Sequence, residues 1–470
     1  IRYFCLSRGL GDVYKRQGHT MTTTFNFKAK KDGQPLYKQL ARYFRDEIQE
    51  DHLQGGDMLP SIRKLTKDLK VSRTTVEAAY EILIDQGYVQ NLPSRGFRIT
   101  LTKPAVPVEM PPLQEESFHR PSFNFANHYI DTTTFDTVLW RRAISRVLHS
   151  PDTLSGYGDP QGEPRLREVL ARYSYQSRGV VCRPEQILVG AGLQSLLSIL
   201  IPLLPVEEKR VSFEAPGFPQ AEWMFHLMGW TTDRYDPAVP SKSWPELLVV
   251  SPTNPYKGRA LSEKERSNLI VATQFERVYL LEDDYNGEFR YLHHPVPALH
   301  SFGNRERIIY VGSFSRTMLP SLRISYLVLP ESFLPRFQKI APFYNQTSST
   351  VEQLALASYI EEGHLTRHVK KLRNRYREKS VLLQDTLQRI FGKRVTFLSL
   401  ESGLDLHIAL SYEMSAQALA EKASQHSIKI TPITSSTDSK KPEFLLSFAG
   451  IAKEDIAPGI EALKKALEDS

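Results

Sequence analysis

Residues 102–121, TKPAVPVEMPPLQEESFHRP, hold five prolines and show neither helical nor alternating apolar spacing. Proline fixes φ and removes a backbone donor, so the stretch reads as an extended, semi-rigid linker. It divides the chain into a short part, 34–101, and a long part, 122–470. A chain of 470 residues leaves room for a full core in each. No run of about 18 apolar residues occurs, so no membrane contact through a spanning helix is expected.

Residues 1–20, IRYFCLSRGLGDVYKRQGHT, differ in character from the rest of the chain. They lack the apolar core of a signal peptide, and Met21 comes next, so they read as a leader outside the fold. Arg2, Arg8, Lys15 and Arg16 stand there against Asp12; without them the formal net charge falls from +7 to +4. Cys5 also lies in this leader, which leaves Cys182 alone. A single cysteine supports no internal disulfide and no metal cluster, and suits a reducing cytoplasm.

In the short part, Leu36, Leu40, Tyr43, Phe44 and Ile48 recur at helical spacing, and Gly55 and Gly56 are read as the stop. Ser61 is placed to cap a second helix to Leu69, and Ser72 a third. In the third, Val76, Ala79, Tyr80, Leu83 and Ile84 form one apolar stripe, ended by Gly87. Tyr88–Asn91 and Phe97–Leu101 read as a hairpin around Pro93, Ser94, Arg95 and Gly96. That order of elements is a winged helix-turn-helix. Arg63, Lys64, Lys67, Lys70 and Arg73 stand against only Asp68 between Ser61 and Thr75. Ser72, Arg73, Thr74 and Thr75 open the third helix, where a recognition helix reads bases; Arg63, Lys64 and the wing's Arg95 would hold phosphates. Charge alone fits a solvated basic face equally well. The segment LPSIRKLTKDLKVSRTTVEAAYEILIDQGYV, however, is similar to GntR-type DNA-binding domains over their whole length, which implies promoter DNA as a partner.

The long part alternates apolar runs with helical stretches. Strands are expected at Gln186–Val189, Arg210–Phe213, Leu247–Ser251, Val278–Glu282, Ile308–Val311 and Ser325–Leu329. Helices are expected at Pro164–Gln176, Leu193–Leu203, Pro219–Met228 and Ser262–Gln274. This pattern predicts an α/β domain with a mostly parallel sheet, its large part about 122–345. A long helix over about Val351–Phe391 leads to a C-terminal α+β part, about 346–470. Its expected elements are Val395–Leu400, Leu404–Leu410, a helix near Ser415–His426, Phe444–Phe448 and a last helix from Lys453.

Three loops carry possible chemistry. Gly190-Ala191-Gly192-Leu193-Gln194 passes from a strand to a helix, whose free N–H groups suit an anion. Ser313, Ser315, Arg316 and Arg323 gather hydroxyls and guanidiniums in one turn, which also fits a phosphate. Glu282-Asp283-Asp284-Tyr285 ends a strand, where α/β sheets bind ligands. Each loop taken alone is also compatible with an ordinary turn.

Together they resemble the cofactor segments of fold-type I, pyridoxal-phosphate (PLP) dependent aminotransferases of class I/II. The match to GSFSKxLxPxLRxxYxVxP in Ile308–Pro330 is nearer still to MocR-type regulators, in which a GntR-like domain precedes an aminotransferase-like one. The resemblance spans about 36–465. It implies that Gly192, Leu193, Gln194, Ser313, Ser315 and Arg323 hold the phosphate of PLP and Asp283 its ring nitrogen. It further implies that Tyr285 and Asn254 reach the phenolic oxygen, and that Tyr157, in SGYGDPQG, lines the partner's site in a head-to-tail homodimer.

Arg316 stands where the family carries lysine. A Schiff base needs an amine that can lose its proton, and a guanidinium keeps its own. Leu445 also stands roughly where aminotransferases grip a substrate carboxylate with arginine, and Phe218 and Gln220 where some relatives use tyrosine and arginine. The expectation is a regulator that holds PLP non-covalently, or a related phosphate, or nothing, and senses an effector the sequence does not name, with transamination lost. Two alternatives stay open: an enzyme using another amine, Lys257 being nearest in motif, and a domain that only dimerises.

Overall fold

The computed structural model describes Phe27 and residues 33–100, 121–126, 129–150, 155–214, 218–237, 244–253, 260–284, 286–289, 296–399, 403–433 and 441–469. The leader 1–20, the linker before Pro121, Asn254, Lys257 and Tyr285 lie outside them. The chain divides into two compact units, Ile1–Ser117 and Phe118–Ser470. Among the described residues no helix is long and apolar enough to cross a membrane.

The first unit contains α1 (Leu36–Gln49), α2 (Ile62–Leu69), α3 (Arg73–Asp85), β1 (Val89–Leu92) and β2 (Gly96–Ile99). Ser61 Oγ accepts the Lys64 N–H and Ser72 Oγ the Thr75 N–H, so both predicted caps are made. Lys70, in left-handed backbone, turns the chain between α2 and α3. β1 and β2 pair antiparallel, with Val89 opposite Ile99 and Leu92 opposite Gly96. Leu40, Phe44, Leu65, Val76, Tyr80, Leu83 and Ile99 form the core. Each such large apolar side chain stabilises by roughly 1.5–3 kcal/mol on burial. α1 stops at Gln49, short of the glycines, because the chain turns sharply at Asp51 with φ 62.

The second unit is built on a seven-stranded sheet. Its spatial order is Ile187–Gly190, Ser325–Val328, Ile308–Ser313, Tyr279–Asp283, Leu247–Val250, Arg210–Glu214 and Thr231–Tyr235. All neighbours run parallel except Ser325–Val328, which is antiparallel to both of its own. The inner strands are near-continuous apolar runs, as burial on both faces requires. Thr231–Tyr235 is an edge strand that sequence reading missed: TTDRY has no buried residue and no apolar alternation. Thr137–Leu148 was missed too. It is a helix capped by Asp136, which accepts the Val138 and Leu139 N–H groups.

The single helix expected over about Val351–Phe391 is two, Thr350–Glu361 and His364–Phe391. Gly363 breaks it by taking φ 71, left-handed backbone that glycine adopts without steric cost. The four-stranded antiparallel sheet of the smaller part orders Val395–Ser399, Asp405–Leu410, Glu443–Ser447 and Thr431–Ile433. Residues from both ends of the unit mix in its cores. Phe123–Asn124 pairs with Ile428–Lys429, and Phe125 is buried in the small core. Ala355, Leu356 and Tyr359 are buried in the large one, so no single cut in the sequence separates the two parts.

Candidate functional site

Register brings the predicted phosphate residues together. Ser325 lies opposite Gly190 on one side and Ser313 on the other, so two strand ends and the start of a third form one row. Ser325 Oγ bonds Ser313 Oγ at 3.0 Å, and the Ser315 N–H donates to Ser313 Oγ. Beyond Gly190 the chain turns through Gly192, at φ 88 and ψ 171, into the helix Leu193–Leu203. Leu193 and Gln194 thus occupy the first turn, whose N–H groups have no intrahelical partner. Arg323, with left-handed backbone, sends its guanidinium to the Ala191 carbonyl at 3.4 Å. A Cβ on Gly192 would overlap that guanidinium. Thr347 Oγ1 accepts the Ala191 N–H at 2.9 Å; no motif pointed to this residue, which arrives from 156 positions away.

The acids at the end of Tyr279–Asp283 face three ways. Glu282 is buried and accepts the N–H groups of Leu299 and His300 at 2.6 and 2.9 Å. Asp284 takes Arg178 on both oxygens, at 2.5 and 3.1 Å, and the Tyr310 hydroxyl at 3.0 Å. Burial works against the charge of Arg178, but the Asp284 carboxylate outweighs it and holds the guanidinium protonated. Asp283 alone keeps a carboxylate with no hydrogen bond from the described residues. It is half-buried, and desolvation, with the Asp284 charge, pushes it up to about 7. Ser251 Oγ anchors its carbonyl at 2.9 Å.

Arg316 lies just beyond the strand Ile308–Ser313 and is 5% exposed. Its charge is felt at the hydroxyl of Tyr376, which accepts the Asp131 N–H at 3.1 Å. Tyr157 is 89% exposed and is not part of this chain's own cradle. Leu445 is buried on Glu443–Ser447; Phe218 precedes the helix Pro219–Leu227, and Gln220 in its first turn is exposed.

In the first unit Arg63, Lys64, Arg73, Thr74 and Arg95 are exposed on α2, the start of α3 and the wing turn. The Thr74 and Thr75 hydroxyls bond Ser72 Oγ at 2.9 and 2.7 Å, so the cap and the expected reading face are one cluster. Arg73 Nε meets Glu77 at 2.8 Å on the surface, an exposed pair that a stronger partner can displace.

The pattern of the family described as aminotransferase class I and II matches residues 126–463, and that of the bacterial regulatory proteins of the gntR family matches 36–99. The HTH-type transcriptional regulator YdeL of Bacillus subtilis is 34% identical over 450 residues, spanning 92% of this chain and 96% of its own. The pyridoxine biosynthesis regulator PdxR of Corynebacterium glutamicum is 31% identical, over 74% of this chain and 78% of its own. The probable rhizopine catabolism regulatory protein MocR of Rhizobium meliloti is 28% identical, over 92% and 94%. This chain is a MocR-type regulator. Like other proteins of that kind, it joins a GntR-type helix-turn-helix region to a domain of the fold-type I aminotransferase fold. The kynurenine aminotransferase of Pyrococcus horikoshii shows the same fold in the MocR-type chain's second unit, with TM-score 0.63 at 19% identity over 74% of this chain and 90% of its own.

Proposed function

We propose that this MocR-type regulator binds promoter DNA through the start of α3 and its wing, and holds PLP without a covalent bond. The same aminotransferase-like domain senses an effector, forms a head-to-tail homodimer and does not transaminate. The observation that carries the reading is Arg316, which is buried and stands at the position where the family carries lysine. The fit of the cradle is supported by Gly192, whose missing Cβ leaves room for Arg323, and by the unbonded Asp283 carboxylate.

Arg323, Ser313, Ser315 and the N–H groups of Gly192, Leu193 and Gln194 would hold the phosphate, by charge-assisted bonds and the helix dipole. Asp283 would hold a protonated ring nitrogen, whose positive charge would favour the carboxylate against the burial that pushes this carboxyl up to about 7. PLP, when bound, supplies a reactive aldehyde and an electron-accepting ring. Arg316 cannot use the aldehyde, since a guanidinium does not surrender its proton below a pH of about 12. Asn254 and Tyr285 belong to the same proposal as contacts to the phenolic oxygen, and Tyr157 as a contribution across the dimer.

The test is an absorbance titration of the purified protein with PLP, before and after borohydride. Binding that is fully removed by gel filtration after reduction is expected. A pyridoxyl group retained covalently by the parent protein would overturn the reading.

A further inference from the structure

We infer that the MocR-type chain carries a subsite for a cationic primary amine, built on Asp405 and Asn286 where the small sheet meets the turn after Asp283. The inference rests on the reading that this domain senses an effector.

The strand Asp405–Leu410 turns Leu406, Ile408 and Leu410 into the small core. Alternation leaves Asp405, His407 and Ala409 on the opposite face, beside Ser447, Leu445 and Glu443 of the paired strand. Asp405 is 8% exposed, yet neither carboxylate oxygen has a hydrogen-bond partner among the described residues. Asn286 is 1% exposed, and among the described residues neither its amide nitrogen nor its oxygen has one. Gly403 links the two segments. Gly403, two residues ahead of Asp405, donates its N–H to the Phe289 carbonyl at 2.9 Å, and a Cβ there would stand 3.4 Å from the Asn286 amide nitrogen.

A buried polar group left unbonded is destabilising, and such groups are rare in folded proteins. Two such groups, Asn286 three residues beyond Asp283 and Asp405 two residues beyond Gly403, are explained if a ligand completes their bonding. The chemistry selects its charge. Asp405, the one charged group of the pair, only accepts while ionised, Asn286 offers both an acceptor and a donor, and His407 has its Nδ1 unbonded while Nε2 meets Glu443 at 2.8 Å. Leu445, directly across from His407, supplies no cation. A carboxylate would be repelled by Asp405, whereas an ammonium offers three donors to Asp405 and the Asn286 carbonyl.

Calorimetric titration of the full-length protein with 1,4-diaminobutane, and separately with butanedioate, reads this directly. The diamine is expected to bind and the diacid not. Asp405→Asn, close in shape, is expected to weaken the diamine on the order of ten- to hundredfold, the worth of a hydrogen bond to a charged group. Leu445→Arg is expected to reverse the preference towards the diacid, and serves if Asp405→Asn lowers the unfolding midpoint below the working temperature. Butanedioate binding as tightly as the diamine in the parent, or an undiminished diamine affinity in folded Asp405→Asn, overturns the subsite. Promoter retardation on the same preparations separates the two readings: a parent that retains DNA but not the diamine loses the subsite alone, and one that retains no DNA loses the regulator reading itself.

Discussion

Arg323 and Gly192 come from turns 131 positions apart and meet so closely that the guanidinium occupies the space a Cβ on the glycine would need. Gly192→Ala therefore has two costs. The backbone, at φ 88 and ψ 171, is a conformation only glycine adopts freely, a strain on the order of 1–3 kcal/mol. The added methyl also displaces Arg323 from the helix N-terminus. Chemical unfolding should register the first effect, and a PLP titration should show affinity falling at least tenfold from the second. Unchanged PLP affinity would separate Arg323 from phosphate binding.

Arg316→Lys puts an amine where the family has one. If the cradle is intact, the variant should gain a borohydride-stable pyridoxyl group, seen as a mass increase and as absorbance that survives gel filtration. A variant that holds PLP no better than its parent would show that the cradle itself has degenerated.

Arg73→Ala removes the first exposed side chain of α3 and its pair with Glu77. The pair is exposed, so folding should change by less than about 0.5 kcal/mol. Competition between cognate and random duplexes should lose on the order of 1–3 kcal/mol of selectivity. Selectivity equal to the parent's would rule out α3 as the reading helix.

Asp283 binds its proton more tightly in the folded state, up to about 7, than an ordinary aspartate does in the unfolded chain. Between about pH 4 and 7 the folded state therefore holds more protons at this site, and stability falls as pH rises through that window. Above it both states are ionised and the penalty is constant. Asp283→Asn should flatten that part of the profile of stability against pH, with the gain over the parent greatest at neutral pH. Parallel profiles for parent and variant would place the sensitivity elsewhere; Glu282, also raised to about 7 by burial, is the first alternative.

Much of this was legible before folding. Apolar periodicity marked the helices α1 to α3 and six of the seven large-sheet strands, because buried faces impose their spacing on the sequence. Ser61 and Ser72 announced the helix starts, since a hydroxyl there satisfies N–H groups the helix leaves free. The glycine turn, the run of acids and the Ser/Arg turn could be named, and Arg316 for lysine could be read with no coordinates at all. Thr231–Tyr235 left no such trace, for an edge strand buries too little to constrain its residues. Nor did Gly363, as a glycine in a helical run signals a break only once its φ is known.

The sequence by itself determined which hydroxyls, carboxyls and guanidiniums the chain carries, because charge and proton affinity belong to residue types. Only the tertiary structure decided which of them meet. Register set Gly190 and Ser313 on either side of Ser325, burial separated Asp283 from the two acids beside it, and Asn286 and Asp405, unremarkable in the chain, were buried without a hydrogen-bond partner among the described residues. Contacts between residues far apart in sequence depend on how the backbone's hydrogen bonds pair and on what each face buries, and neither is written in any single stretch.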